Sequence, residues 1–147
     1  MEPHGISGIH HLTLPVADLE TTGAGFSRCL RARHLTEFDH RDAEGNLFAI
    51  VLKVPGVEPF VQLRLEPSLA EALRGFCAIS FEVAGRAALE DWARHLDEQH
   101  AVRDEISHRL IGDALDFSLP DGTRLQLYTR ATQPPADAAS RRTRTTS

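Results

Sequence analysis

The sequence predicts an α+β domain made of two βαβββ modules, and three observations carry that prediction. The order strand, helix, three strands occurs twice along the chain. The strand segments are short and alternate apolar with polar residues, which gives each one face for a core. The length, 147 residues of which 41% are hydrophobic, suits one domain; at that size about 70% of the unfolded surface becomes buried. An internal duplication of this kind implies modules that pack together to complete a core. We place the domain at residues 8–129, with module one at 8–66 and module two at 76–129. From 130 to 147 Pro, Ala, Ser, Thr and Arg dominate without an apolar period, so a disordered tail is expected.

In module one, the segment Gly8 to Val16 puts Leu12, Leu14 and Val16 on one face and His11, Thr13 and Pro15 on the other, a strand with one buried side. Asp18 offers an N-cap, and Leu19, Thr22, Phe26 and Leu30 follow at helical spacing. Gly23 and Gly25 each weaken that helix by about 1 kcal/mol relative to Ala. His34 to His40, the turn cluster Asp42 to Asn46 and the apolar run Leu47 to Val54 predict a hairpin. After Pro55-Gly56, alternation resumes from Glu58 to Glu66, with Val61, Leu63 and Leu65 facing one way and Phe60, Gln62 and Arg64 the other. Pro67 to Gly75 suits a connector or a short helix.

Module two repeats the order. Cys77, Ile79, Phe81 and Val83 alternate with Ala78, Ser80 and Glu82, and Leu89, Trp92, Ala93 and Leu96 mark an amphipathic helix. Strands are predicted at Val102 to Leu110 and Asp113 to Leu119. The turn Pro120-Asp121-Gly122 then leads into Thr123 to Thr129, where Leu125 and Leu127 oppose Arg124, Gln126 and Tyr128.

Charge and termini narrow the partners. A formal charge of -5 gives no cationic footprint for phosphates, so nucleic acid is not expected. Met1 to Gly8 has no apolar run and reads as neither a signal peptide nor a membrane anchor, which leads us to expect a cytoplasmic protein without membrane contact. Cys29 and Cys77 lack metal-ligand spacing and fall on apolar faces, as buried free thiols do.

The segment HLTLPVADLE from His11, with its alternation followed by Asp-Leu at a helix start, resembles the opening of a vicinal oxygen chelate protein. Phe26 stands where the first helix of that family carries an aromatic, and PDGTRLQL from Pro120 resembles its last turn and strand. The resemblance spans nearly all of Gly8 to Thr129. It implies the glyoxalase/bleomycin resistance/dioxygenase fold, a cupped mixed sheet with helices outside, but it does not name a reaction.

Metal-using members take His and Glu ligands from the first and last strands of each module. The matched positions here are His11, Gln62, Ala78 and Gln126. One imidazole and two amides supply little of the charge that offsets ion desolvation, and Ala78 supplies no donor. No cofactor is therefore favoured. The alternative is a divalent metal, Zn, Fe or Mn, on His11, Gln62 and Gln126, with Glu82 or a register-shifted His10 as a further donor.

Strand parity gives the cleft face His11, Thr13, Phe60, Gln62, Arg64, Ala78, Ser80, Glu82, Asp116, Arg124, Gln126 and Tyr128, a mixture too polar for a packing face. Arg64 and Arg124 suit an anion, or pairing with Glu82 and Asp116; Phe60 and Tyr128 suit a planar ring. His40 and His108 read as exposed strand ends, and His95 and His100 as residues on or just after the second helix. The expected function is binding of a small aromatic or anionic compound without metal, in the manner of drug-sequestering members, by a homodimer. Two alternatives stand beside it. One is an isomerase, lyase or dioxygenase in which His11 is the base or a metal ligand and Glu82 assists; the other is a regulatory or structural subunit with a vestigial cleft.

Overall fold

The computed structural model describes residues 2–130, so the tail expected beyond them lies outside the described residues. The described chain forms two compact units, one for each module. In module one the order is β1 (His11–Val16), α1 (Leu19–Leu30), β2 (Arg33–His34), a 3₁₀ turn (Thr36–Phe38), β3 (His40–Arg41), β4 (Leu47–Lys53), β5 (Phe60–Leu65) and α2 (Pro67–Ala72). Module two holds β6 (Cys77–Val83), α3 (Arg86–Glu98), β7 (Val102–Arg103), β8 (Ser107–Arg109), β9 (Gly112–Ser118) and β10 (Arg124–Thr129). Each module has its own five-stranded mixed sheet, ordered β1-β5-β4-β2 with β3 beside β4, and β6-β10-β9-β7 with β8 beside β9. In each, the first and last strands run parallel and the rest antiparallel.

The cores follow the predicted alternation. Leu14, Val16, Leu52, Val61 and Leu63 are buried in module one, and Phe26, fully buried, fixes α1 to their sheet. Ile79, Phe81, Leu115, Phe117, Leu125 and Leu127 are buried in module two, with Leu89, Ala93 and Leu96 of α3. The Asp18 carboxylate accepts the Thr21 N–H at 2.9 Å, which satisfies one of the open donors at the start of α1 as the sequence predicts.

Four details differ from the expectations. Val102 to Leu110 is not one strand: β7 pairs with Ser118 and Phe117, β8 pairs with Ala114 to Gly112, and between them the register shifts, with the Asp104 N–H still donating to the Asp116 carbonyl at 2.9 Å. Arg103 donates to the Asp97 carboxylate at 2.7 and 3.0 Å and ties β7 to the end of α3, which accounts for the break. In the same way, the first arm of the expected hairpin is split into β2 and β3 by the 3₁₀ turn. Leu65, expected to face inward with Val61 and Leu63, is 38% exposed at the end of β5. The Pro120-Asp121-Gly122 turn, counted with module two, packs with module one, where the buried Thr22 hydroxyl donates to the Asp121 carboxylate.

Candidate functional site

Each module carries a hollow on the polar face of its sheet. In module one the register sets His11 beside Phe60 and Thr13 beside Gln62 across β1 and β5, and Val51 of β4 across from Gln62, so these side chains share one face. Of these, His11, Val51, Phe60 and Gln62 line a hollow of about 270 Å³ with His10, Phe38 and His40. Its wall is aromatic. The Phe60 ring lies 5.9 Å from His10 and 6.2 Å from Phe38, both tilted or edge-on, and the Lys53 ammonium sits 5.6 Å from its centroid. Phe38 is 49% exposed.

The polar groups in and beside this hollow form one chain and one separate pair. The His40 Nδ1–H donates to the Phe38 carbonyl at 2.7 Å, the Gln62 amide N–H faces His40 Nε2 at 3.4 Å, and the Thr13 hydroxyl donates to Gln62 Oε1 at 3.4 Å. His10 and His11 approach each other through their Nδ1 atoms at 2.9 Å, a contact in which one ring donates and the other accepts.

Module two has a shallower hollow of about 460 Å³ that includes Ser80, Glu82, Ile111, Gln126, Tyr128 and Arg130. The Ser80 hydroxyl donates to Gln126 Oε1, Gln126 Nε2 donates to Asp116 at 2.8 Å, and Arg109 donates to the other Asp116 oxygen at 3.1 Å while lying 5.9 Å from the Tyr128 ring. Asp116 in turn holds the Arg109 guanidinium more firmly protonated. Arg124 donates to Ser118 at 3.0 Å and to Asp104, with Asp116 4.0 Å away. Glu82 lies 3.7 Å from Arg130.

Of the residues expected to act together, His11, Phe60 and Gln62 meet in module one, and Ser80, Glu82, Gln126 and Tyr128 meet in module two. Arg64 shares the sheet face but turns away to Glu66 at 3.6 Å and to the Phe48 ring at 5.3 Å. Ala78 sits at a bulge: Cys77 pairs with Arg124 and Ser80 with Gln126, so Ala78 and Ile79 of β6 stand against Leu125 alone of β10. His40, which the sequence places at an exposed strand end, is half-buried in the hollow. His10 joins it because it precedes the pleat of β1, its carbonyl accepting the Phe60 N–H at 3.1 Å. No periodicity signals either position; the 3₁₀ turn that turns His40 inward is a local feature.

Among the described residues no group of three or more His, Cys, Asp or Glu side chains is placed to hold a metal ion. The amides of Gln62 and Gln126 are each engaged at both ends by protein partners. The matched donor set does not fit a divalent ion within either module. Burial raises the pKa of Cys29 and of Cys77, keeping both thiols protonated and poor nucleophiles.

Asp113 is the clearest titration feature beside the module-two hollow. Its carboxylate accepts from His108 at 2.6 Å and Arg86 at 3.2 Å, and these contacts, His108 first, lower its pKa. A lowered folded-state pKa contributes stability that is present above the unfolded value of about 3.9 and is lost as pH falls through the folded value. Thermal melts of the wild type and Asp113→Asn should therefore differ at pH 6, begin to approach each other near pH 4 and converge only as the pH falls further, through the lowered folded value. A difference undiminished at pH 2 would refute that account.

No family model matches the chain, and no curated protein matches it. Solved structures do. The antibiotic-binding protein TnmS3 from Streptomyces sp. CB03234 is 17% identical with a TM-score of 0.69, covering 87% of this chain and 99% of that one. The fosfomycin resistance protein FosX from Listeria monocytogenes is 18% identical with a TM-score of 0.66, over 87% and 97%. Lactoylglutathione lyase from Agrobacterium tumefaciens is 11% identical with a TM-score of 0.62, over 86% and 96%. The chain has the vicinal oxygen chelate fold of these proteins. None of its described helices is long and apolar enough to cross a membrane.

Proposed function

We propose that this chain binds a small planar aromatic compound in the module-one hollow, by sequestration rather than turnover and without a metal ion. The observation that carries the reading is the aromatic wall of Phe60, Phe38 and His10 around a concavity of about 270 Å³, close to the size of small-ligand pockets. Flat faces and tilted ring edges suit a flat guest better than a branched one. The anionic guest expected alongside it is less well served. Arg124 and Arg109 already satisfy carboxylates, so an anion would have to displace Asp104 or Asp116. TnmS3, by its name an antibiotic-binding protein, supports the binding role. In this reading the chain works as a homodimer in the cytoplasm.

One observation favours a second reading, an enzyme. The His10–His11 contact puts a proton-sharing pair at the module-one hollow, with His11 as the candidate base. Among the neighbours, a FosX structure holds Mn(II) and 1S,2S-dihydroxypropylphosphonic acid; the described residues of this chain do not match such an ion within either module, so the reading here rests on imidazole acid–base chemistry.

The test is thermal melting of the full chain with 2-naphthol, with its saturated non-planar counterpart decahydro-2-naphthol, and with Mn²⁺ or Zn²⁺ alone. A guest that binds the native state raises the melting temperature in a saturable way. We expect that rise for 2-naphthol, unchanged by a chelator, and none for the saturated alcohol. A rise with metal alone, or equal effects of the two alcohols, would overturn the reading.

A further inference from the structure

We infer that His40 is the polar determinant of the module-one hollow and that the guest it selects is a planar aromatic carrying a hydrogen-bond donor, a phenolic hydroxyl, at its ring edge. The inference rests on the aromatic-guest reading and adds the chemistry of one atom. The Phe38 carbonyl can only accept, so His40 Nδ1 carries the proton of that 2.7 Å bond. The amide N–H of Gln62 can only donate, so the Nε2 atom it faces holds a lone pair. The two contacts together favour the tautomer with its proton on Nδ1 and its acceptor atom at the hollow. The ring cannot easily turn away, because Phe48 packs edge-on against it at 5.8 Å and 87°.

That lone pair is underused. At 3.4 Å the Gln62 contact is at the long limit of a hydrogen bond, so a guest hydroxyl at ordinary distance makes the better partner. The acceptor also lies beside the ring wall, since Phe38, whose carbonyl anchors His40, is the residue whose ring meets Phe60. Phe60 and Phe38 select a flat ring, and Nε2 selects the edge substituent. A half-buried acceptor left with a poor partner discriminates sharply against a guest that cannot donate.

The experiment is fluorescence titration of the full chain with 2-naphthol and 2-methoxynaphthalene, which differ in the donor, on the wild type and on His40→Phe. We expect 2-naphthol to bind the wild type about tenfold more tightly, the gain of one satisfied hydrogen bond. In His40→Phe the ratio should fall to about 1. Should that variant fail to fold, the imidazole ¹⁵N spectrum of the wild type decides: the His40 Nε2 signal moves upfield as 2-naphthol saturates the site and stays put with the ether. Equal affinity for the two probes in the wild type overturns the donor selection and leaves the aromatic reading standing. A preference that survives in His40→Phe, or an unmoved Nε2 signal, also overturns it. If neither probe binds, both fall.

Discussion

Phe60→Ala is expected to weaken 2-naphthol binding roughly 30-fold, about 2 kcal/mol, the effect of removing the central ring of a small binding site. Phe60 meets two of the other hollow-lining rings, His10 and Phe38, so its removal takes away the floor and loosens both walls. The fold should tolerate the change. Phe60 points to the polar face of β5 and is half-buried, whereas the next residue, Val61, is fully buried on the opposite face with Leu63. A melting temperature close to wild type with a large loss of affinity is the expected signature; Tyr128→Ala in the module-two hollow should leave the affinity alone. A loss under threefold for Phe60→Ala would remove the aromatic wall from the account.

Gly112→Ala should cost about 3 kcal/mol or more, for backbone strain and collision act together. Gly112 opens β9 with φ +145°, a value L side chains rarely adopt. A Cβ there would stand 2.7 Å from Thr129 Oγ1 and 2.8 Å from the Thr129 carbonyl oxygen. Neither can yield cheaply. Thr129 is the last residue of β10, and its Oγ1 already accepts the Asp113 N–H at 2.8 Å. The melting temperature should drop by roughly 10 °C for a chain of this length. Gly56→Ala is the contrast: φ is +81°, nothing lies within 4 Å, and about 1 kcal/mol is the expected cost. Similar melting temperatures for the two variants would contradict the collision argument.

The parts of the fold legible in the sequence are those governed by strict period. Strands β1, β6 and β10 each pack one face on a core, so Leu14 and Val16, Ile79 and Phe81, and Leu125 and Leu127 alternate with residues left at the surface or half-buried. Helix α1 announces itself by Asp18 and by buried residues at helical spacing. The second strand position of each module is less legible. There the chain is held by particular contacts, the 3₁₀ turn in one and the Arg103–Asp97 pair in the other, and such contacts have no period.

The site divides along the same line. His11, Phe60 and Gln62 could be read from parity because they sit on regular strands paired in register. His40 and Phe38 could not, since one hydrogen bond across a 3₁₀ turn places them. Arg64 and Arg124 obeyed parity, but parity does not reveal that a carboxylate already occupies each guanidinium.

The central claim, that the module-one hollow takes a flat ring, is tested most directly by a crystal structure with 2-naphthol bound. Planar density whose centroid lies about 4.5–7 Å from that of Phe60 is the predicted result. Density for the ring against Tyr128 instead, with the space between His10, Phe38 and Phe60 holding only water, would contradict it.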